Sequence, residues 1–287
     1  MSAVTDASQL TSGRTGAGGS PPASLHLDAG QYTVLWRRLG LGEKPVLLDT
    51  PDHGVTYSAR DAADAAAWAR LVAEGLVDDA GRVRPDVADA LAVLRCPVRE
   101  LDVRIRSDGP RILRTAVARG ELGVVAGLDA DAGLHLRVHP GAQHPEALAA
   151  ALLLDVPAGR PLPGATLSVP ATVRGRDAAA RRRSLRTHGV PDATADRLAA
   201  VWAEPPRRSM RFGGTWRDTT GRRRHPEVLT VLDTAPGRVL VRRAADRVEF
   251  RPVDRGALHA EVARLAVPPV PGRASAPGAS WASEAAP

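Results

Sequence analysis

The spacing of apolar residues predicts three helices in the first hundred residues of the chain. Tyr32, Leu35 and Trp36 recur at the three- and four-residue spacing that places side chains on one face of a helix. Ser58, followed by Asp61 three residues later, has the spacing of a capping box at the start of the second helix. The first helix is predicted to follow Asp28 and to end at Gly40, and the second to begin at Ser58 and to end at Gly75. The third is predicted to begin at Pro85 and to end at Pro97.

After the third helix the period of the pattern changes from about four residues to two. Leu101, Val103 and Ile105 alternate with charged residues, which is typical of a strand with one buried face. Asp108-Gly109 follows directly and is a strong signal for a tight hairpin turn. Three further strands are predicted over 111–119, 121–128 and 134–139, and a helix is predicted from Pro145.

The second half of the chain repeats this order of elements. Two helices are predicted over 177–187 and 192–204 and a last helix after Asp254, and the segments 129–133 and 233–237 have turns of the same composition and spacing. We therefore predict an α+β protein in which two pseudo-symmetric modules, each an antiparallel β-meander plus helices, merge around a central sheet. The strands predicted in the second module are 209–217, 227–233, 238–243 and 247–252.

The ends of the chain differ in composition from the rest. Residues 1–23 and 268–287 consist mostly of Ser, Thr, Gly, Ala and Pro, and we predict that both are disordered tails. The folded region is then 24–267, with modules of about 24–155 and 166–267. The first 22 residues have no apolar core of a signal peptide, and no apolar run approaches the length of a membrane span. The sequence therefore indicates a cytoplasmic protein that does not engage the membrane.

The charge of the protein raises the possibility of nucleic-acid binding. Its net charge is +7 and its pI is about 10.8, but Lys44 is the only lysine and asparagine is absent. A GC-rich genome produces this replacement of lysine by arginine. The arginine-rich segment 174–202 has the outline of a helix-turn-helix, which leaves a DNA-binding regulator as an alternative function. Against it, the second helix begins with Asp192 and also contains Asp196, and phosphates would repel both carboxylates.

The sequence contains no motif for the common enzymatic chemistries. With Lys44 alone and no Gly-Lys-Ser/Thr, there is no phosphate-binding loop, and Cys96 as the only cysteine excludes a disulfide and a paired-cysteine metal site. His135 and His139 are four residues apart but lie in a predicted strand, where they are roughly 13 Å apart. We therefore predict no enzyme activity, no cofactor and no metal.

Several segments resemble the EspG family. Residues 34–45, Val-Leu-Trp-Arg-Arg-Leu-Gly-Leu-Gly-Glu-Lys-Pro, are similar to the N-terminal signature of that family, in which a Leu-Trp helix runs into a Gly-Leu-Gly loop and a proline. The segment 75–106 is similar to the next part of the family, and Gly213-Gly214 with 230–238 to its closing hairpin. The resemblance covers about residues 24–266, and the order and spacing of these segments carry it.

The resemblance implies a cytosolic chaperone of type VII (ESX) secretion that binds the apolar tip of the PPE subunit in a PE–PPE heterodimer. Family members bind with the central sheet, its early hairpin and a helical bundle. The hairpin corresponds here to 103–114, and the bundle corresponds to the helices 177–187 and 192–204. The tight turn at Asp108-Gly109 departs from relatives that have a longer loop. A homodimer is a further possibility, and the arginines suggest a partner with an acidic flank. The residues expected to contact the partner are Val103, Ile105, Ile112, Arg114, Leu185, Leu198 and Trp202.

Overall fold

The computed structural model of the protein describes residues 24–50, 56–128, 133–173, 175–243 and 246–269. Within these ranges eleven strands form one sheet in which every ladder is antiparallel. The strands are β1 (Ser24–Leu27), β2 (Arg99–Ser107), β3 (Ile112–Arg119), β4 (Leu122–Leu128), β5 (Leu134–Pro140), β6 (Leu167–Pro170), β7 (Arg208–Asp218), β8 (Gly221–Arg224), β9 (Leu229–Asp233), β10 (Arg238–Arg243) and β11 (Arg247–Pro252).

Seven α-helices and one short 3₁₀ turn at Val46–Leu48 accompany the sheet in the described part of the chain. The first three helices precede the first meander, and two more precede the second. One further helix closes each meander. The helices are α1 (Ala29–Arg38), α2 (Tyr57–Ala73), α3 (Pro85–Arg95), α4 (Pro145–Leu153), α5 (Ala178–Thr187), α6 (Asp192–Trp202) and α7 (Arg255–Arg264).

The order of the strands reveals two equivalent halves. Across the sheet the order is β1-β5-β4-β3-β2-β7-β9-β10-β11-β6, with β8 paired to β7 beside β9. Each half therefore consists of a short edge strand, helices, a four-stranded meander and a closing helix, and β2 and β7 join the halves at the centre. This arrangement confirms the predicted α+β fold of two pseudo-symmetric modules around a central sheet.

The similarity between the segments 129–133 and 233–237 is nevertheless a misleading sign of the duplication. The segment 129–133, of which only Gly133 is described, connects the third and fourth strands of the first meander. The segment 233–237 leads from the second to the third strand of the second meander, because β8 is a short side branch of β7. The two segments therefore occupy different places in their modules, so their similar sequences do not support the duplication.

Local capping explains where the helices begin. Asp28 accepts a hydrogen bond from the backbone N–H of Gln31 at 2.8 Å, and Gln31 Oε1 accepts one from the backbone N–H of Asp28 at 2.9 Å, so that α1 starts with a complete capping box. The capping box predicted for the second helix is wrong. Thr56 is the N-cap of α2, because its hydroxyl accepts from the backbone N–H of Ala59, and the helix begins at Tyr57.

The sequence pattern missed three of the strands. β1, β6 and β8 have four residues each, which is too short for a two-residue period to stand out. They become strands because longer neighbours, β5, β11 and β7, offer them free backbone groups. Two predicted ends also shift by two residues: α6 stops at Trp202 rather than at residue 204, and β9 starts at Leu229 rather than at 227. The predicted tail 1–23 lies outside the described residues, as does the predicted tail 268–287 from residue 270 onward.

Helices cover the two faces of the sheet unequally. On the first face, α4 and α7 pack together over the centre, above a core formed by residues such as Val103, Phe212 and Leu240. On the second face, α1–α3 cover the outer strands of the first module, and α5 and α6 cover those of the second. We refer to these as the α4–α7 face and the split face. The helices of the split face thus flank the central strands β2 and β7 from either side.

Candidate partner-binding surface

The split face has a strip of polar residues along its centre, between the two groups of helices. The strip exists because alternate residues of β2 and β7, such as Val103 and Phe212, point into the core of the α4–α7 face, so that their neighbours point the other way. The main helix contacts of β2 and β7 are with α4 and α7 on that opposite face. We call the following set the central strip: Glu100, Asp102, Arg104, Arg106, Ser209, Arg211, Gly213 and Thr215.

One end of the central strip is electrically neutralised. Arg222 of β8 bonds Glu100 at 2.6 Å, and Arg224 lies 3.4 Å from a carboxylate oxygen of Asp102. Gly213 makes room for this second pair, because a Cβ at that position would lie 2.6 Å from the Asp102 carboxylate. Asp102 is only 3% exposed as a result. Burial raises the pKa of the Asp102 carboxyl group, and the Arg224 guanidinium offsets part of that effect.

The other end of the strip carries three arginines without an ion-pair partner in the described structure, although the charge of Arg104 also acts on the nearby Asp102 carboxyl group. Arg104 lies directly opposite Arg211 in the β2–β7 ladder, and Arg106 follows on the same face, towards the β2–β3 turn. Within the described residues none of the three side chains makes a hydrogen bond or an ion pair, and Arg104 and Arg106 are exposed. Like charges directly opposite each other weaken a sheet. This end of the strip is therefore a site where an anionic group would be favourable.

The structure places three of the predicted contact residues on the opposite face. Val103 is fully buried and Ile105 is 1% exposed, and both belong to the core beneath α4 and α7, against which Ile112 is also packed and partly buried. A side chain with no accessible surface has nothing to offer a partner in this conformation. The apolar alternation in β2 was correctly assigned to a buried face, but the partner contact predicted for Val103 and Ile105 is not supported by their position.

Arg114 lies on the α4–α7 face in a cavity of about 220 Å³. Its guanidinium is 3.6 Å from Asp155, which also bonds Arg137 at 2.8 Å. Gly127 on the neighbouring strand leaves the space that the Arg114 side chain occupies. Arg114 therefore lines a polar recess beside the end of α4, apart from the central strip, and its predicted role in partner contact stays a prediction.

The remaining predicted residues hold the helical pair α5–α6 on the sheet. Leu185 and Leu198 are fully buried in the core that these helices form with the second module. Trp202 is partly buried, with its ring 5.6 Å from that of Phe250 and with the Arg181 guanidinium 5.4 Å from its centre. The seven predicted residues thus lie in two cores and one recess, and they do not form one continuous surface.

Sequence reasoning overlooked the arginines of the central strip. The alternating polar residues of β2 were visible in the sequence, and they were assigned simply to the solvent side. Arg211 becomes their neighbour only through the pairing of β2 with β7, two strands that are more than a hundred residues apart. Gly213-Gly214 was the one available signal, since two glycines inside a strand indicate close approach by other groups.

The helix-turn-helix alternative is weakened by the ion pairs of α5 and α6. Arg182 of α5 pairs with Asp196 of α6, and Arg186 lies 2.6 Å from Asp192. The carboxylates at the start of the second helix therefore engage the arginines that would have contacted phosphates. A recognition helix needs basic or amide side chains at that position. Two of the four arginines of α5 are thus held by carboxylates of α6 within the helical hairpin.

Within the described ranges, no group of three or more histidine, cysteine or acidic residues is arranged to hold a metal ion. None of the helices in those ranges combines the length and apolar character needed to cross a bilayer. Cys96 is a free thiol of intermediate exposure at the end of α3.

The fold defines the class of protein to which the chain is related. It is similar to a solved structure titled "Structure of the Mycobacterium tuberculosis type VII secretion system chaperone EspG5 in complex with PE25-PPE41 dimer". The TM-score is 0.64 at 15% sequence identity, and the match covers 86% of this chain and 97% of that one. At this identity the match establishes a shared fold, a two-module scaffold of sheet and helices.

Sequence comparison establishes the family. The sequence profile of the EspG family matches residues 28–264, which is most of the chain. The ESX-3 secretion-associated protein EspG3 of Mycolicibacterium smegmatis is 30% identical over 274 residues, which cover 91% of this chain and 89% of that protein. The chain belongs to the EspG family.

Proposed function

We propose that this protein is a chaperone of type VII (ESX) secretion that binds a PE–PPE-like heterodimer at the helical tip of its PPE subunit. Membership of the EspG family supports the proposal, together with the fold shared with EspG5, a protein whose solved structure is a complex with the PE25–PPE41 dimer. The same observations favour this function over the DNA-binding alternative. The protein acts by binding alone, in the cytosol, without a cofactor.

The observation that carries the proposal is the open centre of the split face. A helical tip can approach β2 and β7 between the two groups of helices, because the main helix contacts of both strands are on the opposite face. The ladder between β2 and β7 is continuous over nine residue pairs, from Arg99 opposite Trp216 to Ser107 opposite Arg208. A surface held by such a ladder changes little on binding, and a preformed surface loses little entropy.

The physical task of the chaperone is to cover apolar surface. A helical bundle with an exposed apolar tip would associate with other copies of itself in water. A rigid surface that covers the tip prevents this without any covalent step. Because the interaction is reversible, the secretion machinery can take over the substrate by competing for the same tip.

Co-purification tests the proposed function. A PE–PPE heterodimer encoded in the same genome is expressed with and without this protein, and the soluble fraction is analysed by affinity purification and size-exclusion chromatography with light scattering. We expect the heterodimer to gain solubility and to elute as a complex with one copy of the chaperone. No gain in solubility and no complex with any PE–PPE pair of that genome would contradict the proposal. The same experiment determines whether the protein alone is a monomer or a homodimer.

A further inference from the structure

The positively charged end of the central strip indicates what kind of partner surface it accepts. We propose that Arg104, Arg106 and Arg211 form a recognition site for carboxylate groups at the tip of the bound substrate. This inference rests on the proposed function and specifies the chemistry of the substrate. The occupant is an acidic helical tip of the partner protein.

The first argument is the pairing of like charges. Arg104 and Arg211 are directly opposite in an antiparallel ladder, so their Cβ atoms are about 5 Å apart. Arg104 is exposed and Arg211 is half-buried, and within the described structure neither makes an ion pair or a hydrogen bond. The free protein therefore keeps a repulsive pair at the centre of its sheet, where a single acidic residue would have removed the repulsion.

The second argument is the contrast with the other arginines that lie on the same sheet. At the opposite end of the strip, Arg222 and Arg224 each have a carboxylate partner in Glu100 and Asp102. On the α4–α7 face, Glu227 and Glu261 form ion pairs with three arginines, which are Arg242 of β10, Arg251 of β11 and Arg264 of α7. The protein thus supplies carboxylates where arginines are packed among its own elements. Within the central strip, by contrast, Arg104, Arg106 and Arg211 have no ion-pair partner in the described structure.

The third argument concerns geometry and specificity. Arg104 and Arg106 are alternate residues of β2, and Arg211 is the cross-strand neighbour of Arg104, so the three guanidinium groups occupy one patch of the split face next to the β2–β3 turn. Guanidinium groups bind carboxylates with paired hydrogen bonds. A short cationic patch suits one or two carboxylates that border the apolar tip of a helical bundle, and it selects against substrates whose tips are basic.

The test uses the full-length protein and the PE–PPE heterodimer of the co-purification experiment. The double variant Arg104→Glu/Arg211→Glu is compared with wild type by calorimetry or biolayer interferometry, and circular dichroism verifies that it folds. We expect Kd to rise by about tenfold or more, and the salt dependence of Kd to become weaker. The variant Arg104→Lys/Arg211→Lys keeps the charge but loses the paired hydrogen bonds, so its affinity should lie between those of wild type and of the double Glu variant. The matched control Arg119→Glu/Arg217→Glu makes the same charge change at exposed positions beyond the neutralised end of the strip, and it should bind within a few-fold of wild type.

A stability measurement distinguishes recognition from a structural role. The single variant Arg211→Glu replaces the repulsive cross-strand pair with an attractive one, so we expect its Tm to rise while its affinity for the heterodimer falls. A lower Tm together with weaker binding would assign a structural role to Arg211 and overturn the inference.

The outcomes separate the two proposals. If the wild-type protein binds the heterodimer and the double Glu variant binds equally well, carboxylate recognition is wrong and the chaperone function stands. If the wild-type protein binds no heterodimer, both are wrong. Tight binding of a 20-base-pair DNA duplex at physiological salt, lost in the double Glu variant, would assign the patch to nucleic acid and overturn the inference.

Discussion

The buried ion pair between Asp233 and Arg238 allows a sharp prediction about what holds the two modules together. The residues are directly opposite each other at the ends of β9 and β10, and they are 7% and 2% exposed. Arg238 donates two hydrogen bonds to the carboxylate, at 2.6 and 2.9 Å, and a third at 2.7 Å to the carbonyl of Pro157. Because Pro157 belongs to the segment that connects the modules, this pair fixes the connection to the sheet.

We predict that Asp233→Asn strongly destabilises the protein. The substitution removes the negative charge and leaves a guanidinium buried without a counterion, which costs about 3–5 kcal/mol in comparable buried pairs. That is a large part of the roughly 5–15 kcal/mol by which domains are stable. The Tm should fall by about 10 °C or more. Urea denaturation followed by circular dichroism measures the change in the free energy of unfolding.

Two further variants define the control and the refutation. Asp192→Asn breaks the exposed pair with Arg186 and should cost less than about 1 kcal/mol, because water already solvates both groups. The double variant Asp233→Leu/Arg238→Met removes both charges and should recover most of the stability lost in Asp233→Asn. A loss below about 1 kcal/mol for Asp233→Asn, or no recovery in the double variant, would show that the pair does not have the assigned role.

Three other variants test particular contacts. Gly214→Ala should destabilise the protein by about 1–3 kcal/mol, because its Cβ would collide with the backbone carbonyl of Leu265 after α7. Gly256→Ala should be nearly neutral in the same denaturation assay, because its Cβ would make only an ordinary contact, 3.6 Å from a carboxylate oxygen of Asp254. Burial alone would raise the pKa of the Glu261 carboxyl group, but the surrounding arginines hold it below its ordinary value of 4.5. The ionised Glu261 carboxylate therefore contributes stability above pH 4.5, and this contribution is lost as the pH falls through the lower pKa of the folded state. The Tm difference between wild type and Glu261→Gln should shrink on acidification, and a constant difference would contradict this. Tyr32→Phe should change stability by less than about 1 kcal/mol, because the buried Tyr32 hydroxyl has no hydrogen-bond partner in the described structure to lose, and a larger loss would reveal one.

The predictable part of the fold is the part encoded by neighbouring residues. The N-cap at Asp28, the proline at the first position of α3 and the turn after Ser107 depend on a few consecutive side chains, and the structure places all three as the sequence indicated. Hydrophobic periodicity identified the long strands for the same reason. The four-residue strands could not be predicted in this way, because their conformation is imposed by partner strands that are distant in sequence.

The candidate surface was harder to predict because exposure is a property of packing. The apolar residues Ile105 and Leu198 were selected because they form stripes, but the chain buries those stripes under its own helices. Asp102 shows the converse: alternation places it on the outer side of β2, yet it is buried because Arg224 folds over it from β8. Which residues remain accessible depends on the β2–β7 pairing, and that pairing has no local signature.

The partner is expected to bind to the open centre of the split face. Site-specific photo-crosslinking tests this directly, with a photoreactive residue placed either at Arg106, in the central strip, or at Glu249, exposed on the α4–α7 face. Mass spectrometry of the complex with the PE–PPE heterodimer identifies the crosslinked chain. We predict that the probe at position 106 crosslinks to the tip of the PPE subunit and that the probe at position 249 does not. Crosslinks from position 249 alone would place the partner on the opposite face and contradict the account.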